Sequence, residues 1–202
     1  MKRYTSFFLL IFTLLFTSQV WAQETELNEE PPIPPARKAA IDSLAMEKVR
    51  DLSKYISKVG NKQTSFSEAN RVIERALELF MDDAQIGVSS LNREKIQYYT
   101  VRKYLEHLNR LNYQKVEIEW FDIQYISDLE KQPDGRYVGV ITIYQSFKGT
   151  TKDGMVYKDI TKKDITVYVE RKQTQIGGRT IGFWDVLLGD IRVAETSKNN
   201  RG

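Results

Sequence analysis

Helical spacing of apolar residues dominates the first half of the chain. Between Ile41 and Gly60, apolar side chains recur every three or four residues, which predicts one long helix that ends at the glycine. The same pattern predicts a second helix with Ser65 as its N-cap and a third, shorter helix with Thr100 as its N-cap. Residues 82–88 are predicted to form a short strand between these two helices.

The period of the pattern changes to that of strands after residue 112. Four segments rich in Val, Ile and aromatic residues follow, separated by polar or glycine-containing turns, at 114–127, 136–148, 155–170 and 180–195. In the first of them the apolar positions change parity between Trp120 and Phe121, which predicts a β-bulge. The chain is therefore predicted to have an α+β fold, in which three N-terminal helices pack on a curved antiparallel sheet of one short and four long strands.

Residues 1–22 have the pattern of a cleavable signal peptide. Lys2 and Arg3 precede an apolar run, and Val20-Trp21-Ala22 offers small residues where a signal peptidase cuts. The apolar run is shorter than the roughly 20 residues that a membrane anchor needs. We therefore expect no transmembrane anchor, a mature chain that begins at Gln23, and a location in the periplasm or outside the cell.

The rest of the chain is predicted to hold one domain between two unstructured segments. Residues 23–37 contain four of the five prolines together with several glutamates, a composition typical of a flexible linker. The domain itself is expected to span residues 38–197. Residues 198–202 are predicted to form a disordered tail.

Composition removes several classes of function. The 202 residues include 30 Lys and Arg against 27 Asp and Glu, and this near balance argues against a nucleic-acid partner. The chain has no Cys and one His, which excludes a disulfide framework, a thiol nucleophile and a Cys/His zinc site. We therefore expect neither a metal nor a cofactor.

Two short motifs give the chain a resemblance to a known superfamily. Residues 79–86 lead from the second helix into the first strand through an acidic pair, and residues 99–105 lead into the third helix. With the element order, these segments resemble the nuclear transport factor 2-like (NTF2-like, or SnoaL-like) cone fold, although Thr100 stands where that superfamily usually has glycine. The resemblance implies a pocket at the open end of the cone, lined by inward-facing strand residues.

Two aromatic-acid triplets, at 120–122 and 183–185, supply most of the candidate site, although the pattern is more typical of strands with one face in the core and one face in water. An acid beside aromatic rings can be desolvated, which raises its pKa and suits it to act as a base. The candidate ligand-binding residues are Tyr99, Trp120, Asp122, Tyr144 and Trp184. The sole histidine, His107, lies off the apolar stripe of the third helix and is interpreted as a solvated residue. Tyr157, Asp159 and Asp164 alternate with lysines and are interpreted as part of an exposed, mixed-charge face.

Two functions follow from these features. The scarcity of catalytic residue types favours an exported, non-catalytic module that binds a protein partner or a small apolar ligand. The alternative is a cofactor-free isomerase, dehydratase or cyclase that acts on a hydrophobic small molecule, because the superfamily includes such enzymes as well as binding modules. Apolar residues of both parities on the long strands also predict a homodimer or a complex with another exported envelope protein. An open cavity that holds a buried Asp facing a Tyr would support the enzyme.

Overall fold

The computed structural model describes residues 33–125 and 127–198, and the fold belongs to the unit Ala36–Gly202. The elements, numbered along the chain, are α1 (Pro35–Gly60), α2 (Phe66–Leu77), β1 (Gln85–Ser90), β2 (Arg93–Thr100), α3 (Val101–Asn109), β3 (Lys115–Tyr125), β4 (Glu130–Lys131), β5 (Tyr137–Thr150), β6 (Val156–Ile176) and β7 (Arg179–Lys198). The predicted signal peptide, residues 23–32 of the predicted linker and residues 199–202 of the tail lie outside the described residues. None of the described helices is long and apolar enough to cross a membrane.

The three predicted helices are confirmed, with their N-caps. The hydroxyl of Ser65 accepts a hydrogen bond from the Glu68 backbone N–H, and the hydroxyl of Thr100 accepts one from Lys103. Each of these bonds satisfies a donor that the first helical turn leaves without a partner. Helix α1 begins at Pro35, three residues before the predicted start of the domain at residue 38, because proline is well suited to the first position of a helix.

The strands form one mixed, mostly antiparallel sheet in the order β2-β1-β7-β6-β5-β3, with the short β4 paired to β5. Among the strands of residues 33–125 and 127–198, only β1 and β7 run parallel, and they pair at Ile86 and Ile191. The predicted α+β fold class and the four long strands are confirmed. Strand β2 was not predicted, because its side chains from Glu94 to Tyr98 are exposed at the sheet edge and only Ile96 and Tyr98 among them are apolar or aromatic.

The predicted bulge in β3 is confirmed. The register between β3 and β5 shifts between Phe121 and Gln124, and Asp122 has a φ of 51°. Asp tolerates this left-handed conformation better than most residues because its short polar side chain can bond locally. The bulge shifts the parity of the residues beyond it, whereas Phe121 lies before the bulge and pairs with Tyr144 on the face opposite to Trp120.

The hydrophobic core lies between the helices and one face of the sheet, here called the inner face. Along β5 and β6, buried residues alternate with half-buried ones, and Ile141, Ile143 and Ile165 are fully buried on the inner face. Helix α1 contributes Leu52 and Ile56 to the same core. Burying each of these side chains contributes about 1.5–3 kcal/mol to stability. The inner face therefore fixes where the helices sit, and with them the walls of the site.

Ion pairs connect the helices to one another. Arg102 of α3 donates two hydrogen bonds to Glu74 of α2, at 2.7 and 2.9 Å, and Lys58 of α1 pairs with Glu68 of α2 at 2.7 Å. The Lys62 ammonium donates to the Asn109 carbonyl at the end of α3, at 2.9 Å. These contacts hold α3 in place beside the sheet, where it forms one side of a cavity.

Candidate functional site

A cavity of about 260 Å³ lies between α3 and the inner face of the sheet. Aromatic rings form much of its wall, contributed by Tyr99, Tyr104, Tyr113, Phe147 and Tyr157. Its polar side chains include His107, Gln145, Asp159 and Lys163. The mixture of aromatic walls with a few converging polar groups is typical of sites for small molecules, and the volume lies just below the usual range of about 300–1,000 Å³.

Strand β6 supplies three of the chemically active groups at alternate positions. Tyr157, Asp159 and Lys163 have the same parity, and so does Thr161 between them. The same parity continues into Ile165, which is fully buried in the core. Because side chains on a strand point to alternate faces, one strand brings all of these groups to the inner face.

Asp159 is a buried carboxylate with a defined hydrogen-bond partner. It is 4% exposed, and its Oδ2 accepts a hydrogen bond from the Tyr157 hydroxyl at 2.7 Å. The Tyr157 oxygen in turn accepts a hydrogen bond from the Leu91 backbone N–H at 3.0 Å and lies 3.0 Å from the Ser90 hydroxyl. The turn between β1 and β2 therefore fixes Tyr157, and Tyr157 fixes the carboxylate.

Burial governs the electrostatics of Asp159. Removal from water raises the pKa of this carboxyl above its ordinary value, and the hydrogen bond from Tyr157 and the charge of Lys163 offset only part of that effect. Burial also raises the pKa of Tyr157 and of Tyr104. A carboxylate that is destabilised in this way has a stronger affinity for a proton than an exposed one, which suits it to general-base chemistry.

Lys163 is the buried cation of the cavity. It is 3% exposed, and its Nζ lies 5.7 Å from the centre of the Tyr104 ring. Within the described part of the chain its amine has no hydrogen-bond or ion-pair partner, although it interacts electrostatically with Asp159. Burial lowers the pKa of this amine from 10.5 to about 8, an effect that the charge of Asp159 only partly opposes. At pH 7 about a tenth of the amine is therefore uncharged, compared with well under about 1% for an ordinary lysine.

These positions correct the interpretation of β6 as an exposed, mixed-charge face. Asp159 and Lys163 are buried on the inner face, whereas Lys158, Lys162 and Asp164 are half-buried on the other face. The physical reason is parity, because only every second residue of β6 points away from the helices. The sequence contained this signal, since Asp159 and Lys163 share the parity of the apolar residues that follow them.

His107 lies at the rim of the cavity. Its side chain is exposed, as expected from the sequence, but it also lines the cavity, and its ring centre lies 5.4 Å from that of Tyr99. The helix places it there because the cavity opens beside α3. An exposed residue on a helix can thus still line a cavity when the cavity opens to solvent beside that residue.

Of the five candidate ligand-binding residues, the structure places only Tyr99 in the cavity wall. Trp120 is buried next to the wall, and its indole N–H donates to Gln145 Oε1 at 3.1 Å. Asp122 is exposed, because the bulge turns it away, and its Oδ1 accepts a hydrogen bond from Gln124 at 2.7 Å. Tyr144 has the opposite parity to Gln145 and stacks on Phe121.

Trp184 lies far from the cavity along the sheet. It pairs with Arg171 of β6, eight residues beyond Lys163, which corresponds to about 26 Å along a strand. Its ring packs against Tyr137, with the ring centres 5.7 Å apart. The five candidates therefore do not form one site, and their role in ligand binding stays a prediction.

A metal centre finds no ready ligand set in the described residues. Across 33–125 and 127–198, no group of three or more His, Asp or Glu side chains is arranged to hold a metal ion. The polar groups of the cavity are instead a carboxyl, an amine, hydroxyls and an amide. Such groups can transfer protons and form hydrogen bonds without a bound cofactor.

Comparisons with known proteins find distant similarities in structure. No protein-family model matches the sequence, and no curated protein matches it significantly. The chain is similar to a Novosphingobium aromaticivorans protein provisionally assigned as a scytalone dehydratase, with 13% identity, a TM-score of 0.44, and coverage of 82% of this chain and 92% of that one. It is also similar to a type 2 hexachlorocyclohexane dehydrochlorinase (LinA), with 12% identity, a TM-score of 0.40, and coverage of 81% and 94%. Such low identity leaves the chemistry to be inferred from this chain's own residues.

Proposed function

We propose that the protein is a cofactor-free enzyme that transfers a proton on a hydrophobic small molecule, as in an isomerisation, dehydration or cyclisation. The observation that carries this proposal is Asp159, a buried carboxylate that accepts a hydrogen bond from Tyr157 in an aromatic-walled cavity. A buried Asp facing a Tyr in an open cavity is the arrangement expected for the enzyme and not for a module with a filled core.

Asp159 is the proposed general base. Its Oδ2 is bonded to Tyr157, while no described residue donates a hydrogen bond to Oδ1, which leaves that oxygen available to a substrate C–H group. Removal of a proton next to a carbonyl places negative charge on the carbonyl oxygen. Lys163 lines the same cavity and can stabilise that charge, and general-base catalysis of this kind contributes about 10²–10⁴-fold to a rate.

A simple carbon acid tests the base without knowledge of the natural substrate. The probe is 5-nitrobenzisoxazole, a small aromatic molecule whose ring opens when a base removes one C–H proton. We expect the Asp159→Asn variant to lose about 10²–10³-fold in kcat/KM for this probe. The matched control is Asp185→Asn, which removes a carboxylate outside the cavity lining and should leave kcat/KM within about twofold. Equal rates for the wild type and Asp159→Asn would refute the proposal.

A binding role without catalysis is the second candidate, and one observation favours it. Ile176, Ile181 and Phe183, near the tip of the β6–β7 hairpin, are 60%, 45% and 43% exposed. Exposed apolar groups of this kind are typical of surfaces that contact another protein. In this role the chain would form a homodimer or bind another exported envelope protein. Light scattering on the purified chain tests self-association, because a homodimer has twice the mass of one chain.

Export of the protein is also proposed, on the signal-peptide pattern of residues 1–22. Intact-mass measurement on protein from its native host should give a chain that begins at Gln23. Recovery of the full-length chain from the cytosol would contradict export.

A further inference from the structure

The amine of Lys163 is an unusual group to leave without a partner. A buried ammonium is normally paired or hydrogen-bonded, because desolvation of an isolated charge is costly. Lys163 is buried, lines the cavity, and has no hydrogen-bond or ion-pair partner among the described residues. Because Lys163 lines the cavity, a molecule bound there would contact its side chain.

The charged groups of the cavity make an anion an unfavourable ligand. Asp159 and Lys163 both line the cavity, so that a bound carboxylate would be attracted by one group and repelled by the other. A neutral polar group avoids the repulsion. Because the walls are largely aromatic, the ligand that suits them is a small apolar or aromatic molecule with one carbonyl group.

We propose that the Lys163 amine forms a covalent imine with a small aromatic or apolar aldehyde or ketone bound in the cavity. The inference deepens the proposed function and rests on it, because an iminium acidifies the neighbouring C–H bond whose proton Asp159 would take. Lysines buried in apolar sites are well suited to this chemistry, since more of the amine is uncharged and nucleophilic.

The step balances without any oxidant or reductant. The uncharged Nζ attacks the carbonyl carbon, a C–N bond forms as the C=O π bond opens, and one proton passes from the nitrogen to the oxygen, which becomes the hydroxyl of a carbinolamine. The C–O bond then breaks, water leaves with a second proton, and a protonated imine remains. The Tyr157–Asp159 hydrogen-bonded pair lies on the same face of β6 and can donate and accept these protons.

Reductive trapping tests the imine directly. The purified chain is incubated at pH 7 with benzaldehyde and sodium cyanoborohydride, which reduces an iminium to a stable benzylamine, and the modified lysines are located by peptide mass spectrometry. We expect Lys163 to be benzylated on the order of 10-fold or more faster than any exposed lysine. Benzylation spread over the surface lysines, with Lys163 unmodified, would overturn the inference.

Three variants separate the reactive amine from a structural effect. Lys163→Arg keeps a positive charge but cannot form the imine, so the fast labelling should vanish in it. Lys158→Met and Lys162→Met remove neighbouring lysines from the other face of β6 and should keep the fast labelling. Thermal unfolding of each variant checks that it is folded. Fast labelling that persists in Lys163→Arg would contradict the inference.

The pH dependence of labelling gives a second readout. Besides Asp159, the titratable groups that face the cavity are Tyr99 from β2, Tyr104 and His107 from α3, Tyr113 from the segment before β3, and Tyr157 from β6. The labelling rate of Lys163 should rise with pH and level off near pH 8, where that of exposed lysines still rises steeply. A rate that follows the exposed lysines throughout would contradict the assignment.

Failure of this inference and failure of the proposed function give different results. If Lys163 is not trapped but Asp159→Asn still abolishes ring opening of 5-nitrobenzisoxazole, the enzyme transfers protons without an imine. If Lys163 is trapped but Asp159→Asn has no effect on that reaction, the reactive amine stands and the proposed base is wrong.

Discussion

Strand β6 carries two lysines in opposite electrostatic situations. Lys172, near the hairpin end, donates a hydrogen bond to Asp185 at 2.7 Å and pairs with Glu170 at 2.9 Å, with 43% of its side chain exposed. Those two carboxylates raise the pKa of Lys172 above its ordinary value. Lys163, nine residues earlier, is buried without such a pair, and burial lowers the pKa of its amine to about 8.

The difference shows that position on the strand, and not residue type, decides what a lysine can do. Lys172 stays protonated and serves as a surface charge. Lys163 shares its inner face with Asp159 and with aromatic rings, so its charge has little solvation. Asp185 and Asp159 differ in the same way. Asp185 accepts a hydrogen bond from the charged Lys172, whereas Asp159 accepts one from the neutral hydroxyl of Tyr157.

Replacement of Lys163 by Met should have the largest effect on stability. The folded-state pKa of about 8 lies below the ordinary 10.5, so below pH 8 the folded protein bears the full cost of keeping the amine charged. That shift corresponds to about 3 kcal/mol, and Met fills a similar volume without a charge. We expect Lys163→Met to raise the free energy of unfolding at pH 7 by up to about 3 kcal/mol, measured by urea denaturation.

The sign of this effect is checked by its pH dependence. Between about pH 8 and 10.5 the unfolded chain holds a proton on Lys163 that the folded chain has lost, so the wild type gains stability relative to the variant as pH rises. The advantage of Lys163→Met should therefore shrink over this window and vanish above it. A difference that is constant from pH 7 to 10.5 would show that Lys163 titrates normally.

Replacement of Tyr157 by Phe should have a smaller, destabilising effect. The variant removes the hydroxyl that donates to Asp159 and accepts from the Leu91 backbone N–H. Loss of these bonds, one of them to the buried Asp159, should lower the free energy of unfolding by about 1–2 kcal/mol, measured by urea denaturation. The control is Tyr168→Phe on the other face of β6, which should change stability by less than about 0.5 kcal/mol. Equal effects of the two variants would mean that the hydroxyl of Tyr157 has no special role.

Replacement of Lys172 by Met should have the smallest effect. Its ion pairs with Glu170 and Asp185 are partly exposed, and such pairs contribute about 1 kcal/mol or less. We expect Lys172→Met to lower the free energy of unfolding by that amount at low salt. The loss should be smaller in 1 M salt, because screening weakens the ion pairs. If Lys172→Met lowers the free energy of unfolding by as much as Lys163→Met raises it, the two lysines do not differ as the account claims.

Most of the fold could be predicted from the sequence, because periodicity reports which face of an element is buried. The helices, the four long strands and the bulge near Trp120 all follow from the spacing of apolar residues. Strand β2 escaped prediction because it is an exposed edge strand with few apolar residues. The site was missed for a different reason. Lysines and aspartates occupy both faces of β6 around residue 160, and only the shared parity with Ile165 distinguishes the buried ones.

The account is tested most directly by measuring the pKa values of Lys163 and Lys172 in one sample. Carbon-13 NMR of the lysine Cε atoms follows each amine through its titration, and Lys163→Met and Lys172→Met assign the two signals. We expect Lys163 to titrate near pH 8 and Lys172 above 10.5. A value for Lys163 at or above 10.5 would contradict the claim that this cavity holds a desolvated, reactive amine beside Asp159.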